Sequence, residues 1–105
     1  MSVRLTSRMG ELSAEVEGKA GKVIRKGALD ILAESHNAVP VKTGHLKSTG
    51  HTVDVGPMRS EIRYDADYAL YVEEGTRHMR AQPFLLPAFD HVRPMVMAAL
   101  GALIK

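Results

Sequence analysis

The apolar residues of this chain change period twice, and that change constrains the fold more than any single motif. Met9, Leu12, Val16, Val23, Ile24, Ala28, Ile31 and Leu32 recur at steps of three and four, with Lys and Glu at most positions between them. That is the pattern of an amphipathic helix, here predicted over Ser7 to Asn37 with Ser7 as its cap and Gly10 and Glu11 in its first turn. From His51 to Tyr64 the period drops to two. Val53 and Val55 alternate with Thr52 and Asp54, Ile62 and Tyr64 alternate with Glu61 and Arg63, and Gly56-Pro57 lies between the two runs. This predicts an antiparallel β-hairpin with one dry and one wet face. Beyond Pro83 the helical spacing returns through Phe84, Leu85, Ala88, Phe89, Val92, Met95, Val96, Ala99, Leu100 and Leu103. The fold class expected is therefore α+β: a long N-terminal helix, a hairpin or small sheet, a short central helix and a C-terminal helix. Pro94 should kink or briefly break that last helix near Asp90 to Arg93.

Two strands alone are marginal in water, so the hairpin must pack on the long helix or extend into a larger sheet. A neighbouring copy could supply the extra strand. Gly10, Gly18, Gly21 and Gly27 each cost roughly 1 kcal/mol relative to alanine inside a helix. The long helix thus needs a partner surface, and its glycines could permit close backbone approach or a bend near Gly18 to Gly21. Pro40 ends it by Val39. Thr43 then reads as the cap of one helical turn from Gly44 to Thr49, with Leu46 buried and Gly50 closing it.

The best-marked boundaries lie between Ala66 and Ala88. Asp67 is a good N-cap for a short helix through Glu74, and Gly75 suits a positive-φ position after it. Aromatic and β-branched residues are dense enough here that a strand remains open as an alternative. Gly75 to Gln82 has no apolar period, and Pro83-Phe84 opens the next element.

With 105 residues the chain is expected to form a single domain. It has no cysteine, which excludes a disulfide framework, a thiolate zinc site and a cysteine nucleophile, and fits a reducing compartment. No run approaches a membrane span, and Met1 to Arg8 lacks a signal-peptide core, so synthesis in a cytoplasm is expected. The net charge of +2 does not by itself argue for nucleic acid. Its distribution says more. Met1 to Asp30 carries six basic and four acidic side chains, Asp54 to Glu74 two basic and six acidic, and Gly75 to Lys105 four basic and one acidic. Such blocks can pair head-to-tail between copies, or they are solvated faces that happen to segregate.

A reactive constellation does not emerge. His36, His45, His51, His78 and His91 show no i, i+4 pair, and no Gly-x-Ser-x-Gly elbow surrounds any serine. Gly18-Lys19 and Gly21-Lys22 fall inside a helical pattern without the strand and loop of a phosphate cradle. Asp65, Asp67, Glu73 and Glu74 could hold magnesium in a nuclease, but Asp67 is better used as a cap, Glu74 as an exposed helix end and Glu73 as a partner of Arg77 or Arg80. Arg77, His78 and Arg80 form a small basic cluster. The expected class is an interaction or structural protein, with no catalytic residue, cofactor or metal. The alternatives are a DNA-binding module and, behind it, a small metal-dependent hydrolase.

Three motifs give this class a name. They read Ala38, Pro40, Val41, Thr43, Gly44, Leu46, Ser48; then Tyr68, Ala69, Tyr71, Val72, Glu73, Gly75, Thr76; then Ala81, Pro83, Phe84, Leu85, Pro87, Ala88. Their order resembles the neck or minor tail-component family of long-tailed phages and prophages. The resemblance implies a non-catalytic subunit of a ring between portal and tail tube, completing or terminating the tail and joining it to the DNA-filled head. It implies a homo-oligomer, with six copies favoured and twelve possible. Other neck and tail-tube proteins would be its partners, and DNA would pass through the lumen without sequence-specific binding. It implies a place in the virion and no membrane. Tyr68, Tyr71, Glu73, Thr76, Arg77, Arg80 and Phe84 are the expected assembly residues.

Overall fold

The computed structural model describes residues 1–6, 14–39, 44–56, 58–77 and 80–103. Its elements follow the order β1 (Ser2–Thr6), α1 (Ala14–Ala38), α2 (Gly44–Ser48), β2 (Gly50–Gly56), β3 (Arg59–Tyr64), α3 (Ala69–Glu74) and α4 (Leu85–Leu103). The fold is α+β, as the change of period predicts. The caps expected at Ser7 and Thr43, the first turn at Gly10 and Glu11, and the stretch around Pro40 and Val41 lie outside the described residues.

The hairpin forms, and its third strand comes from the same chain. The sheet order is β1-β3-β2, with both pairings antiparallel. Val3 sits opposite Ile62 and Leu5 opposite Ser60, so Val3 and Leu5 share the inner face with the buried Ile62 and Tyr64. The period-two alternation that makes β1 a strand is present in Ser2-Val-Arg-Leu-Thr6. On the other side of β3, Val53 pairs with Glu61 and Thr52 with Ile62, with an irregularity between Asp54 and Gly56. The dry face therefore takes Gly50, Thr52 and Asp54 from β2, while Val53 shares the outer face with Glu61. This reverses the side on which β2's valines would make a dry face with Ile62 and Tyr64. The reason lies at Gly50: a Cβ there would stand 2.7 Å from the Tyr64 ring and 2.8 Å from His36 Nε2. Only glycine leaves room for that ring to turn inward.

α1 lies across the inner face of the sheet and α4 packs along α1. Ala20, Ile24, Ala28 and Ile31 of α1 meet Val92, Val96 and Leu100 of α4 and Leu5 and Ile62 of the sheet in one core. The helices approach closely at Gly27, where a Cβ would come within 2.5 Å of Val96 Cγ2 and 3.0 Å of Leu5 Cδ2. This glycine serves close approach; Gly18, by contrast, faces open space. The helix runs without interruption from Ala14 to Ala38, through Gly18 and Gly21. α4 is likewise continuous through Pro94, so the break near Asp90 to Arg93 does not occur. Pro94 is exposed, which leaves the carbonyl that loses its helical donor on the wet side, where water can serve it. His91 Nδ1 lies 2.8 Å from Glu34 Oε1, tying α4 to α1 at the surface.

α2 is the single turn expected around Leu46, which is fully buried. Behind it Tyr64 stacks edge-on against Phe84, with centroids 4.9 Å apart and an 81° interplanar angle. The Tyr64 hydroxyl meets Ser35 Oγ at 2.5 Å, and burial pushes the phenol's pKa up while the Ser35 bond opposes that shift. His36 faces the same ring edge-on at 6.0 Å. Its Nε2 is buried without a hydrogen-bond partner among the described residues. Burial, then the charge of Lys47, lowers its pKa from 6.5. The whole molecule is elongated, 51 × 20 × 20 Å.

Candidate assembly surface

The segment after the hairpin builds a junction between α3 and α4. Asp67 does not cap α3: the helix starts at Ala69, Tyr68 occupies the N-cap position, and no side chain caps it. The Ala69 N–H is taken instead by the Ala66 carbonyl at 3.1 Å, a backbone turn that leaves Asp67 exposed. At the other end Gly75 donates to the Tyr71 carbonyl at 2.7 Å. Its φ of 79° and ψ of 173° place it in a region that side chains resist.

Glu73 occupies the centre of the junction. It is 4 % exposed. Its carboxylate accepts the backbone N–H groups of Phe84 (3.2 Å), Leu85 (2.8 Å) and Leu86 (3.2 Å). These are donors at the start of α4 that have no partner within the helix, and the negative charge sits at the positive end of the helix dipole. Glu73 thus caps α4 from a distant element, as Asp or Ser would from an adjacent position. No ion pair joins it to Arg77 or Arg80 among the described residues. The Gln82 N–H donates to the Val72 carbonyl at 2.8 Å, so the connection between α3 and α4 is pinned at both ends.

This arrangement divides the expected assembly residues. Glu73 and Phe84 point into the subunit's own interior. Tyr68 is half-buried, its ring 6.2 Å from that of His45. Tyr71, Thr76, Arg77 and Arg80 lie on the surface. Leu70 and Leu86, which the motifs did not single out, join Tyr71 as large apolar residues about half exposed, at 48 %, 46 % and 56 %. Leu70 and Glu74 are four residues apart and Tyr71 and Glu74 three, so a carboxylate follows the apolar pair on the outer side of α3, while the exposed Asp67 lies in the turn before the helix. Further along the molecule α4 also leaves Met95 and Met97 uncovered. The sequence carries the signal for this: no charged residue occurs from Pro94 to Ile104, more apolar surface than a one-sided helix needs.

The acidic block is partly consumed internally. Glu61 lies under Arg4 (2.9 Å) and Arg63 (2.6 Å) on the sheet's outer face. Hydrogen bonds from Arg63 and then Arg4 hold its pKa down to about 2. Asp54 accepts from Ser60 Oγ at 2.8 Å, and Asp65 lies 3.6 Å from His51 Nδ1. With Glu73 committed to α4, Asp67 and Glu74 remain exposed and unpaired among the described residues.

A small α+β subunit with half-exposed apolar side chains beside a backbone-locked junction is built like a structural component of an assembly. Residues 4–75 match the family model described as "Bacteriophage HK97-gp10, putative tail-component". The chain belongs to this phage tail-component family. The match ends at Gly75, so the third motif and α4 lie beyond it. No curated protein and no solved structure matches the chain. Among the described residues, no helix is long and apolar enough to cross a membrane.

Proposed function

We propose that the chain is a non-catalytic subunit of a ring at the phage neck or tail terminus, completing the tail and joining it to the DNA-filled head. Six copies match the reading best, with twelve as the other closed form. The observation that carries it is the division of the segment from Tyr68 to Ala88. Its inner half, Glu73 with Phe84, locks two helices together; its outer half leaves Leu70, Tyr71 and Leu86 uncovered, and Arg77 and Arg80 exposed. Large apolar side chains exposed around a rigid junction are suited to burial against other subunits. The same ring would let DNA pass through its lumen without reading sequence, and neck and tail-tube proteins would flank it in the virion.

The test is to delete the gene from its phage or prophage and image the particles. Filled heads and separate tails, rejoined when the protein is supplied in trans, are the expected result. Ordinary joined particles would overturn the reading.

A further inference from the structure

A groove of about 200 Å³ runs between α1 and α4, lined by Val23, Lys26, Gly27, Val92, Met95 and Ala99 among others. Val23 and Met95 line its rim, and Gly27 lies at its floor, where α1 and α4 are in close contact through Val96. Asp30 also lines it, and the Glu34–His91 bridge joins the two helices about one turn beyond Asp30 on α1. In the other direction, α1 presents Lys19, Lys22, Arg25 and Lys26 with no acidic residue between them. All four are exposed. Lys19 and Lys26 contact Glu15 and Asp30 in exposed pairs at 3.4 and 3.5 Å, which bind weakly enough to exchange partners.

The outer side of α3 has the complementary character. It projects Leu70 and Tyr71, with Glu74 on the turn beyond them and Asp67 in the turn before the helix, and neither carboxylate has a partner among the described residues. A concave apolar site beside basic residues and a convex apolar site beside acidic ones occur on the same molecule. They are not adjacent. α3 is fixed to the first turn of α4 by Glu73, whereas the groove involves Val92 to Ala99, roughly 10–20 Å further along the helix at 1.5 Å per residue. Two unlike patches at separate stations make a heterologous contact, in which each copy uses one patch on each neighbour.

Resting on the reading of this chain as a self-assembling subunit, we propose that the occupant of the groove is a second copy: Tyr71 and Leu70 of one subunit seat between α1 and α4 of the next. Glu74 faces the Lys22 and Lys26 side of the groove, away from Asp30. Tyr71 is the anchor, a rigid side chain whose ring enters the apolar gap while its hydroxyl stays at the wet rim. The charged flanks fix the direction of docking and exclude the two reversed pairings, which would set like charges together.

The absence of cysteine makes the test clean. Tyr71→Cys and Met95→Cys, both exposed positions, are prepared separately, checked for unchanged melting temperature, mixed and oxidised. Mixed disulfide dimers should form in at least several-fold excess over either homodimer, and the double variant should give a ladder of higher species. A mixture of Tyr71→Cys with Ser2→Cys, on the far side of the sheet, sets the background. Predominant Tyr71–Tyr71 dimers, or mixed product no greater than background, would overturn the proposal. The native mass of the unmodified chain separates this from failure of the ring: a closed oligomer without the crosslink sinks this contact alone, and a monomer that still crosslinks sinks unaided ring closure alone.

Discussion

Glu73 shows how a residue in a recognisable motif can have a role that its neighbours in sequence do not reveal. Its nearest cations in the chain are Arg77 and Arg80, yet its carboxylate is enclosed by the N–H groups of Phe84, Leu85 and Leu86. Sequence proximity cannot show which distant helix end lacks a cap. Glu73→Ala should lower stability by about 3 kcal/mol, since buried donors lose their acceptor, and Glu73→Gln by about 1 kcal/mol because one oxygen remains. Glu73→Arg should prevent folding, so it cannot probe assembly. Arg80→Glu should leave the urea midpoint unchanged and weaken assembly alone; unaltered assembly would remove that residue from the interface. Gly75 was readable as a helix stop, and its φ of 79° gives the reason. Gly75→Ala should cost about 1–3 kcal/mol in the same urea titration.

At the level of elements, the apolar period was enough to place α1, the hairpin and α4, because burial imposes a period directly. It was not enough for β1, only five residues long, or for the direction in which β2 faces, which depends on the fit of Gly50 under Tyr64 and His36. Nor could it distinguish among glycines. Gly27→Ala should destabilise by about 1–3 kcal/mol as Val96 is displaced, while Gly18→Ala should stabilise by up to about 1 kcal/mol; paired thermal melts would compare them. The sheet and helix layers also make stability depend on pH in two ranges. The lowered pKa of His36 means that the unfolded chain takes up the proton more readily, so stability is lost as pH falls below about 6.5. The depressed pKa of Glu61 contributes stability above about 4.5 that disappears as pH falls toward 2. Urea midpoints should decline across both ranges, and Glu61→Gln should remove the lower decline specifically.

On the scale of the whole molecule, three ordered motifs made the family readable, and the match across residues 4–75 spans the first motif, the hairpin and the second motif up to Gly75. The exposed surface proposed for assembly was readable only in part. Tyr71, Arg77 and Arg80 lie on the outside, but the exposure of Leu70 and Leu86 and the groove between α1 and α4 depend on how helices pack, and four of the six acidic residues from Asp54 to Glu74 serve internal contacts. An elongated subunit with an apolar knob at one station and an apolar groove at another is suited to head-to-tail closure. The most direct test is the native mass of the purified chain over a range of concentrations. A discrete closed species, six subunits by preference, is the predicted result. A strict monomer at every concentration would contradict the claim that this chain carries its own ring-closing surfaces.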